Sequence, residues 1–289
     1  MSNTSVLNSE LFVNLLQEAQ FQAYESSIAR QLVSIYDVPA NSGKVVQIPI
    51  WDQVTAELIS NEAAATAAGT DTNSQTVTLS EHVVYHRITD MLRDSAQSNV
   101  FAQIGDQSGR AIAESMDKQV FALFDGFDDD FEPGASADMT VKDILKAAAV
   151  LRSRKLTGPF AAVIHPAQAY ALKEELANVG GTGIPSLSNV GNQVLSAGFI
   201  GTVSGVMIYE SALVDFDDQA DTAVGGVFAP QAIAHSMRGS IGMEEQRQAA
   251  ARATDLVLTA VAGAGLIRPE YGVRMTSAAD LSNGNGGND

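Results

Sequence analysis

The chain has 289 residues, a formal net charge of −17, 45% apolar and 18% charged residues, and no cysteine. This is the balance of a folded chain long enough for one large domain or two smaller ones. It excludes disulfides, thiol chemistry and cysteine-based zinc sites, and the acidic excess argues against gripping nucleic acid through a basic patch.

In chain order, the first segment predicts a helix, with Ser9 as its cap and Leu11, Leu15, Leu16 and Ala19 at three-to-four spacing. The start "MSNTSVLNSELFVNLLQ" lacks the basic region and apolar core of a secretory leader, and no run nears the roughly 20 apolar residues that cross a bilayer, so a cytoplasmic site of synthesis is expected. A second helical piece, "SSIARQLVSIYDV", is expected before the turn residues "PANSG". Val46, Ile48 and Ile50 then alternate with Gln47, Pro49 and Trp51, which predicts a strand with one buried face; Pro49 makes it an edge. The return strand is expected over "QTVTLSEHVVYHRIT", rich in β-branched and aromatic residues. The tip between them is mostly Ala, Thr, Gly and Asn. Ordering about 15 such residues costs on the order of 15–30 kcal/mol of backbone entropy, which Leu58, Ile59 and a few alanines cannot offset. The tip is therefore either mobile or ordered by another chain.

Next, a proline-free run from about Asp94 to Phe124 predicts one long helix, capped by Asp94 or Ser95 and ended by Gly126. At about 46 Å it reads as a strut. Its apolar positions (Ile104, Ile112, Met116, Val120 and Phe124 among them) thicken toward the C-terminus, so only that half is expected to be fully buried. "DGFDDDFEPGASADM" reads as an acidic connector. Residues 140–252 then alternate helix and strand as a compact α/β unit. Thr140 caps a helix with Val141, Ile144, Leu145, Ala148 and Leu151 on one face; "FAAVIH" is a buried strand, Pro166 opens a helix, and "VMIYES" and "GGVFAP" are strands. The region after Arg252 is expected to return as strand, ending in a tail, "LSNGNGGND".

Chemistry is sparse. There is no P-loop, G-x-S-x-G elbow, H-E-x-x-H or dinucleotide fingerprint. Gly180, Gly181 and Gly183 lack a lysine and a Ser/Thr partner and read as a plain loop. His82 and His86 share a strand face about 13 Å apart, too far to hold one metal. His165 and His235 stand alone at expected element ends. Asp125, Asp128, Asp129, Asp130 and Glu132, like Asp215, Asp217, Asp218 and Asp221, read as solvated acidic loops without EF-hand spacing. No catalytic, cofactor or metal residue is assigned. What remains is architecture: a helical arm, a long hairpin, a strut and an α/β unit, two of which cannot satisfy themselves within one chain.

The order of the hairpin Val45–Thr89, "ITDMLRDSAQSNVFAQIGDQSGRAIAESMDKQVFALFDGF", "VLRSRKLTGPFAAVIHPAQAYAL", "GTVSGVMIYES", "GGVFAPQAIAHSM" and "GLIRPEYGVRM" resembles that of tailed-phage major capsid proteins of the Hong Kong 97-like fold. The resemblance spans nearly the whole chain and lies in the order of elements, since no single motif is diagnostic. It implies an α+β chain with an N-terminal arm (1–44), an extended β-hairpin loop (45–89), a peripheral domain with the spine helix (90–139 and 253–280), an axial domain (140–252) and a flexible tail (281–289). It implies no enzyme and no cofactor. The chain would be a structural subunit that self-assembles into pentamers and hexamers of an icosahedral shell around double-stranded DNA. It would be assembled in the host cytoplasm and located in the virion, with a separate scaffolding protein, a portal and a possible decoration protein as partners, and no membrane. Loop residues Leu58, Ile59, Asn61, Ala63, Ala64, Thr66, Gly69, Thr70 and Thr72 would lie on a neighbouring subunit, while Ile104, Ile112, Met116, Val120 and Phe124 would pack the spine. None of the six lysines falls between Lys44 and Lys118, so the lysine cross-linking of some family members cannot start from this loop. The acidic charge suits a container that repels phosphate. A cellular nanocompartment shell of the same fold, and an α/β enzyme with an unrecognised site in 140–252, stand as alternatives.

Overall fold

A computed structural model describes residues 3–39, 43–51, 56–58, 72–95, 98–134, 137–180 and 201–279. In chain order the elements are α1 (Asn3–Ser26), α2 (Ala29–Leu32), β1 (Ser34–Val38), β2 (Val45–Trp51), β3 (Thr72–Thr78), β4 (Ser80–Thr89), α3 (Asp90–Ser95) and α4 (Ser98–Phe121). A 3-10 turn (Ala122–Gly126) leads to β5 (Asp129–Gly134), α5 (Val141–Ser153), β6 (Phe160–Ile164), α6 (Pro166–Gly180), β7 (Thr202–Val203), β8 (Val206–Glu210), β9 (Asp215–Asp217) and β10 (Thr222–Phe228). The chain closes with β11 (Ile233–Arg238), β12 (Gly242–Gln248), β13 (Ala253–Leu266) and β14 (Gly272–Ala278).

The described strands form three sheets. One has five strands in the order β1-β11-β13-β12, with β4 also paired to β13. The second has seven, β5-β14-β10-β6-β8-β7 with β9 on β10, and the third is the hairpin β2-β3. Sheet membership cuts across the expected boundary at residue 252. β11 and β12 pair with β13 in the five-stranded sheet, whereas β5 and β14 join the strands of residues 160–228.

The α1–α4 pair fills the largest gap in the sequence reading. α1 starts at Asn3, so Ser9 lies inside the helix and is no cap. Its Leu15, Ala19 and Ala23 are fully buried, spaced four apart along one face. On α4 this face meets Gly105 and Gly109. A Cβ on Gly109 would sit 2.4 Å from the Ala19 carbonyl oxygen, and one on Gly105 would sit 2.7 Å from that of Leu15. Small residues therefore bury the first half of the spine by close backbone approach. Phe101, Ser108 and Ala113 are buried as well, while Ala111 is exposed. The spine is shorter than the expected 46 Å: α4 has 24 residues, or about 36 Å. Helical structure ahead of it begins at Asp90, where the Thr89 hydroxyl accepts the Leu92 N–H at 3.3 Å; Asp94 and Ser95 are not its caps.

Other expectations shift for similar reasons. "SIYDV" is strand β1, running parallel to β11, and not helix; its partner lies some 200 residues away. "QTVTLSEHVVYHRIT" divides at Leu79, β3 staying in the hairpin and β4 pairing with β13 from Ser80↔Ala262 to Thr89↔Ala253. The acidic connector contains β5, parallel to β14. Leu145 is exposed, its place in the core taken by Ala147.

The core of the seven-stranded half is as the apolar pattern requires. β6 is buried at all five positions, and Phe121, Phe124, Phe127 and Phe228 form an aromatic cluster with centroids 5.4–6.1 Å apart. α5 is locked at its start by Asp143, whose Oδ2 accepts the Thr140 N–H at 3.0 Å and the Thr140 hydroxyl at 2.6 Å. Thr140→Ala is expected to lower stability by about 1 kcal/mol, read as a reduced urea midpoint; an unchanged midpoint would show the cap to be dispensable.

Candidate functional site

The hairpin β2–β3 pairs Val45↔Thr78 through Trp51↔Thr72 and belongs to no larger sheet. Its inner face is anchored. Ile48 and Val77 are buried against Ala234 and Ile267, with Val46 and Ile50 beside them. The base crosses β13 where Gly263 admits it: a Cβ there would lie 2.3 Å from the Thr78 carbonyl oxygen. At the far end Arg268 Nη2 donates to the Trp51 carbonyl at 2.6 Å, and the guanidinium also faces the Tyr271 ring. The outer face is open: Val45 and Trp51 are more than half exposed. The structure thus presents a stiffly held base whose apolar outer residues have no cover within the described chain.

Of the predicted loop contacts, Leu58 is 100% exposed. Thr72 opens β3. Ile59, Asn61, Ala63, Ala64, Thr66, Gly69 and Thr70 lie outside the described residues. Four of the five predicted spine residues are buried. Ile112 and Met116 pack on β4 and β13 through Ile88, Leu256 and Leu258. Val120 and Phe124 join the seven-stranded core. Ile104 is half-buried against the first of these clusters. The spine therefore joins both cores, which no single stretch of sequence signals.

Strand β4 carries the two histidines expected on one face, and that face lies on α4. His82 Nδ1 is 2.8 Å from Ser115 Oγ, and His86 Nε2 is 2.8 Å from Ser108 Oγ. The Ser108 hydroxyl donates to the Ile104 carbonyl at 2.5 Å, so it accepts the hydrogen bond from the His86 Nε2–H. The opposite face of β4 exposes Val83 and Tyr85 beside the Arg87–Asp255 pair, bonded at 2.7 and 3.0 Å. Arg87 holds the Asp255 carboxyl down to about 2. Asp90 is buried at the turn into α3 and takes a bidentate Arg247, both bonds 2.7 Å.

Two expectations about polar residues are corrected. His235 lies within β11, almost completely buried, and not at an element end. The acidic run 125–130 is not simply solvated: Arg274 bridges Asp125 at 2.9 Å and Asp130 at 3.0 Å, and Arg154 pairs with Asp129. His165 stacks on Phe216, 4.9 Å between centroids. Among the described residues no three of His, Asp and Glu are grouped to hold a metal ion, and no helix is long and apolar enough to cross a membrane. Gly181 and Gly183 lie outside the described residues; Gly180 ends α6.

Known proteins of similar structure share this layout. The capsid of cyanophage P-SCSP1u is similar over 88% of this chain and 89% of its own, at 18% identity and a TM-score of 0.67. A protein of Mycobacterium phage Che8 is similar over 81% and 85%, at 19% identity and a TM-score of 0.59. A virus-like particle from Pyrococcus furiosus is similar over 90% and 97%, at 10% identity and a TM-score of 0.59. At such identities the likeness shows the fold alone. No curated protein sequence matches the chain. The sequence profile described as "Phage capsid protein" matches residues 72–275, from β3 to the middle of β14. With that profile covering well over half of its length on a Hong Kong 97-like fold, the chain belongs to the phage capsid protein family and is a structural, shell-forming major capsid protein.

Proposed function

We propose that the outer face and tip of the hairpin, including Leu58, Ile59, Asn61, Ala63, Ala64, Thr66, Gly69, Thr70 and Thr72, dock on a neighbouring copy of the chain and hold pentamers and hexamers in a closed icosahedral shell. The observation that carries this is the anchored but uncovered hairpin: Gly263 and Arg268 hold its base, while Trp51 and Leu58 stand in solvent. An isolated two-stranded ribbon is marginal in water, and an exposed tryptophan is a common hot spot when a partner covers it. The axial role falls to the seven-stranded half and the peripheral role to the five-stranded half with its spine helix. The second of these halves contains β11 and β12, so the division follows the sheets.

The shell encloses double-stranded DNA without sequence-specific contact. With 34 acidic and 17 basic residues the subunit repels phosphate, and its cohesion comes from many weak apolar and hydrogen-bonded contacts. A separate scaffolding protein, a portal and a decoration protein are the further partners proposed, with assembly in the host cytoplasm. The chain performs no catalysis in this role. The nanocompartment alternative shares the fold, as the Pyrococcus furiosus particle does, but the phage family profile favours the viral shell.

Deleting Asn61–Asp71 leaves both hairpin strands intact and tests the reading. The deleted subunit is expected to keep its circular dichroism spectrum and melting temperature and to form no closed particles by negative-stain microscopy, with or without a scaffold. Normal shells from the deleted protein would refute the docking role.

A further inference from the structure

Four elements meet where the N-terminal segment turns from α1 into β1. Ser27 Oγ donates to Asp117 Oδ1 of α4 at 2.5 Å, and the Ile28 N–H donates to Oδ2 at 2.9 Å. Arg30 lies over the Tyr24 ring, 4.4 Å from its centroid, and its Nη1 is 3.8 Å from Met237 Sδ on β11. The Tyr24 hydroxyl reaches the same sulfur at 3.9 Å. Two residues earlier on the same face of β11 is His235, 4% exposed, whose Nδ1 is buried with no hydrogen-bond partner among the described residues. His82 of β4 supplies a second imidazole. Its Nδ1 is bonded to Ser115, and hydrogen bonding with the Gln119 side chain and the Ala262 backbone tempers the effect of burial on the ring.

Arg30 of α2 is the cation that acts on His235; on α1, Tyr24 lies under Arg30 and its neighbour Glu25 is exposed, while Asp117 stands on α4. On β1, Asp37 is paired in register with Met237 and is exposed to solvent. On β11, Arg238 follows Met237 on the opposite face. Asp117, the buried carboxylate of this cluster, is already taken by Ser27 and Ile28.

We propose that this cluster is an acid-sensitive latch on the N-terminal segment: protonating His235 sets a new cation beside Arg30 at a buried ring nitrogen that has no acceptor among the described residues, and this releases α2 and β1, and α1 with them, from the spine helix.

The direction follows from which state takes up protons. Burial, aided by the charges of Arg30 and His82, pushes His235 down to about 4, and burial lowers His82. Both rings are neutral in the latched subunit at pH 7. An exposed imidazole titrates near 6.5, so the released state binds protons that the latched state refuses. Latch stability is complete above about pH 6.5, falls by up to about tenfold per pH unit as the pH drops, and levels off near pH 4, where His235 itself titrates. Asp117 acts in the opposite sense. Burial raises its pKa, so its protonation in acid relieves a cost of the latched state and cannot be what opens it.

Hydrogen exchange of the full-length protein, read by mass spectrometry and corrected for the intrinsic pH dependence, tests the proposal segment by segment. Protection of residues 27–38 is expected to fall about 10-fold to 100-fold between pH 6.5 and 4.5, while β6 and β10 hold theirs. His235→Phe removes the titrating ring and is expected to reduce that fall at least several-fold. Arg30→Gln lets His235 accept a proton inside the cluster and is expected to reduce it too, so a poorly folded His235→Phe protein leaves the test intact. Unchanged protection of residues 27–38 across this range in the wild type, or the same fall in the variants as in the wild type, would overturn the latch. The readout is local to the subunit and does not require shells to form.

Discussion

Gly109→Leu is expected to lift α1 off the spine helix, lower stability by about 3 kcal/mol or more, and prevent shell formation. The reason is backbone against backbone. A Cβ at position 109 meets the Ala19 carbonyl oxygen at 2.4 Å and Gln22 Cβ at 3.0 Å, and a carbonyl in the middle of a helix cannot swing aside as the end of a lysine could. Overpacking a core costs typically 1–3 kcal/mol when side chains can rearrange. Here the only adjustment is movement of α1 as a body, which also uncovers Leu15, Ala19 and Ala23, all fully buried. Limited proteolysis is expected to cut within α1 in the variant and not in the wild type, alongside a drop of several degrees in melting temperature. Equal resistance to protease would show that the two helices can part without loss.

Phe124→Ala is expected to cost about 3–5 kcal/mol, a large share of the roughly 5–15 kcal/mol that holds a domain folded. Phe124 is fully buried at the end of the spine, with ring centroids of Phe121, Phe127 and Phe228 at 5.6, 5.7 and 5.4 Å. It is the point where the spine meets the seven-stranded sheet. Gly226 of β10 lies so close that a Cβ there would stand 2.9 Å from the ring. No neighbour of that kind can fill the space left by the ring, so a cavity is expected to remain. Urea denaturation measures the loss, and Phe124→Leu, which retains most of the volume, is expected to cost clearly less. Equal losses for both variants would show that the aromatic cluster, not filled volume, sets the stability here.

Much of the fold was legible because its signals are local. The alternation of Val46, Ile48 and Ile50, the all-apolar run 160–164, the cap at Thr140 and the opening proline of α6 each announce their element within a few residues. Features that depend on distant partners were not legible. β1 and β5 are short parallel edge strands whose partners lie about 200 and 140 residues onward, and neither "SIYDV" nor "DDFEPG" alternates clearly enough to declare itself. The division of the return strand at Leu79 is decided by β13, which captures β4 and leaves β3 to the hairpin. The buried first half of the spine was hidden for another reason: its contact is made by glycines, and hydrophobic periodicity counts side chains. The candidate site was half legible. The exposed hairpin follows from its composition, but its anchors, Gly263 and Arg268, sit nearly 200 residues away. His235 looked isolated because the residues that surround it come from four separate parts of the chain.

The wide separation of paired strands also bears on when the subunit becomes competent. β4 waits for β13 and β5 for β14, so neither large sheet can close on the ribosome until nearly the whole chain has been synthesised. Until then the hairpin has no base, because Gly263 and Arg268 have yet to emerge. A nascent chain therefore cannot present an anchored hairpin to finished subunits nearby. The order of translation itself keeps half-made copies out of a growing shell, and only complete chains can be recruited.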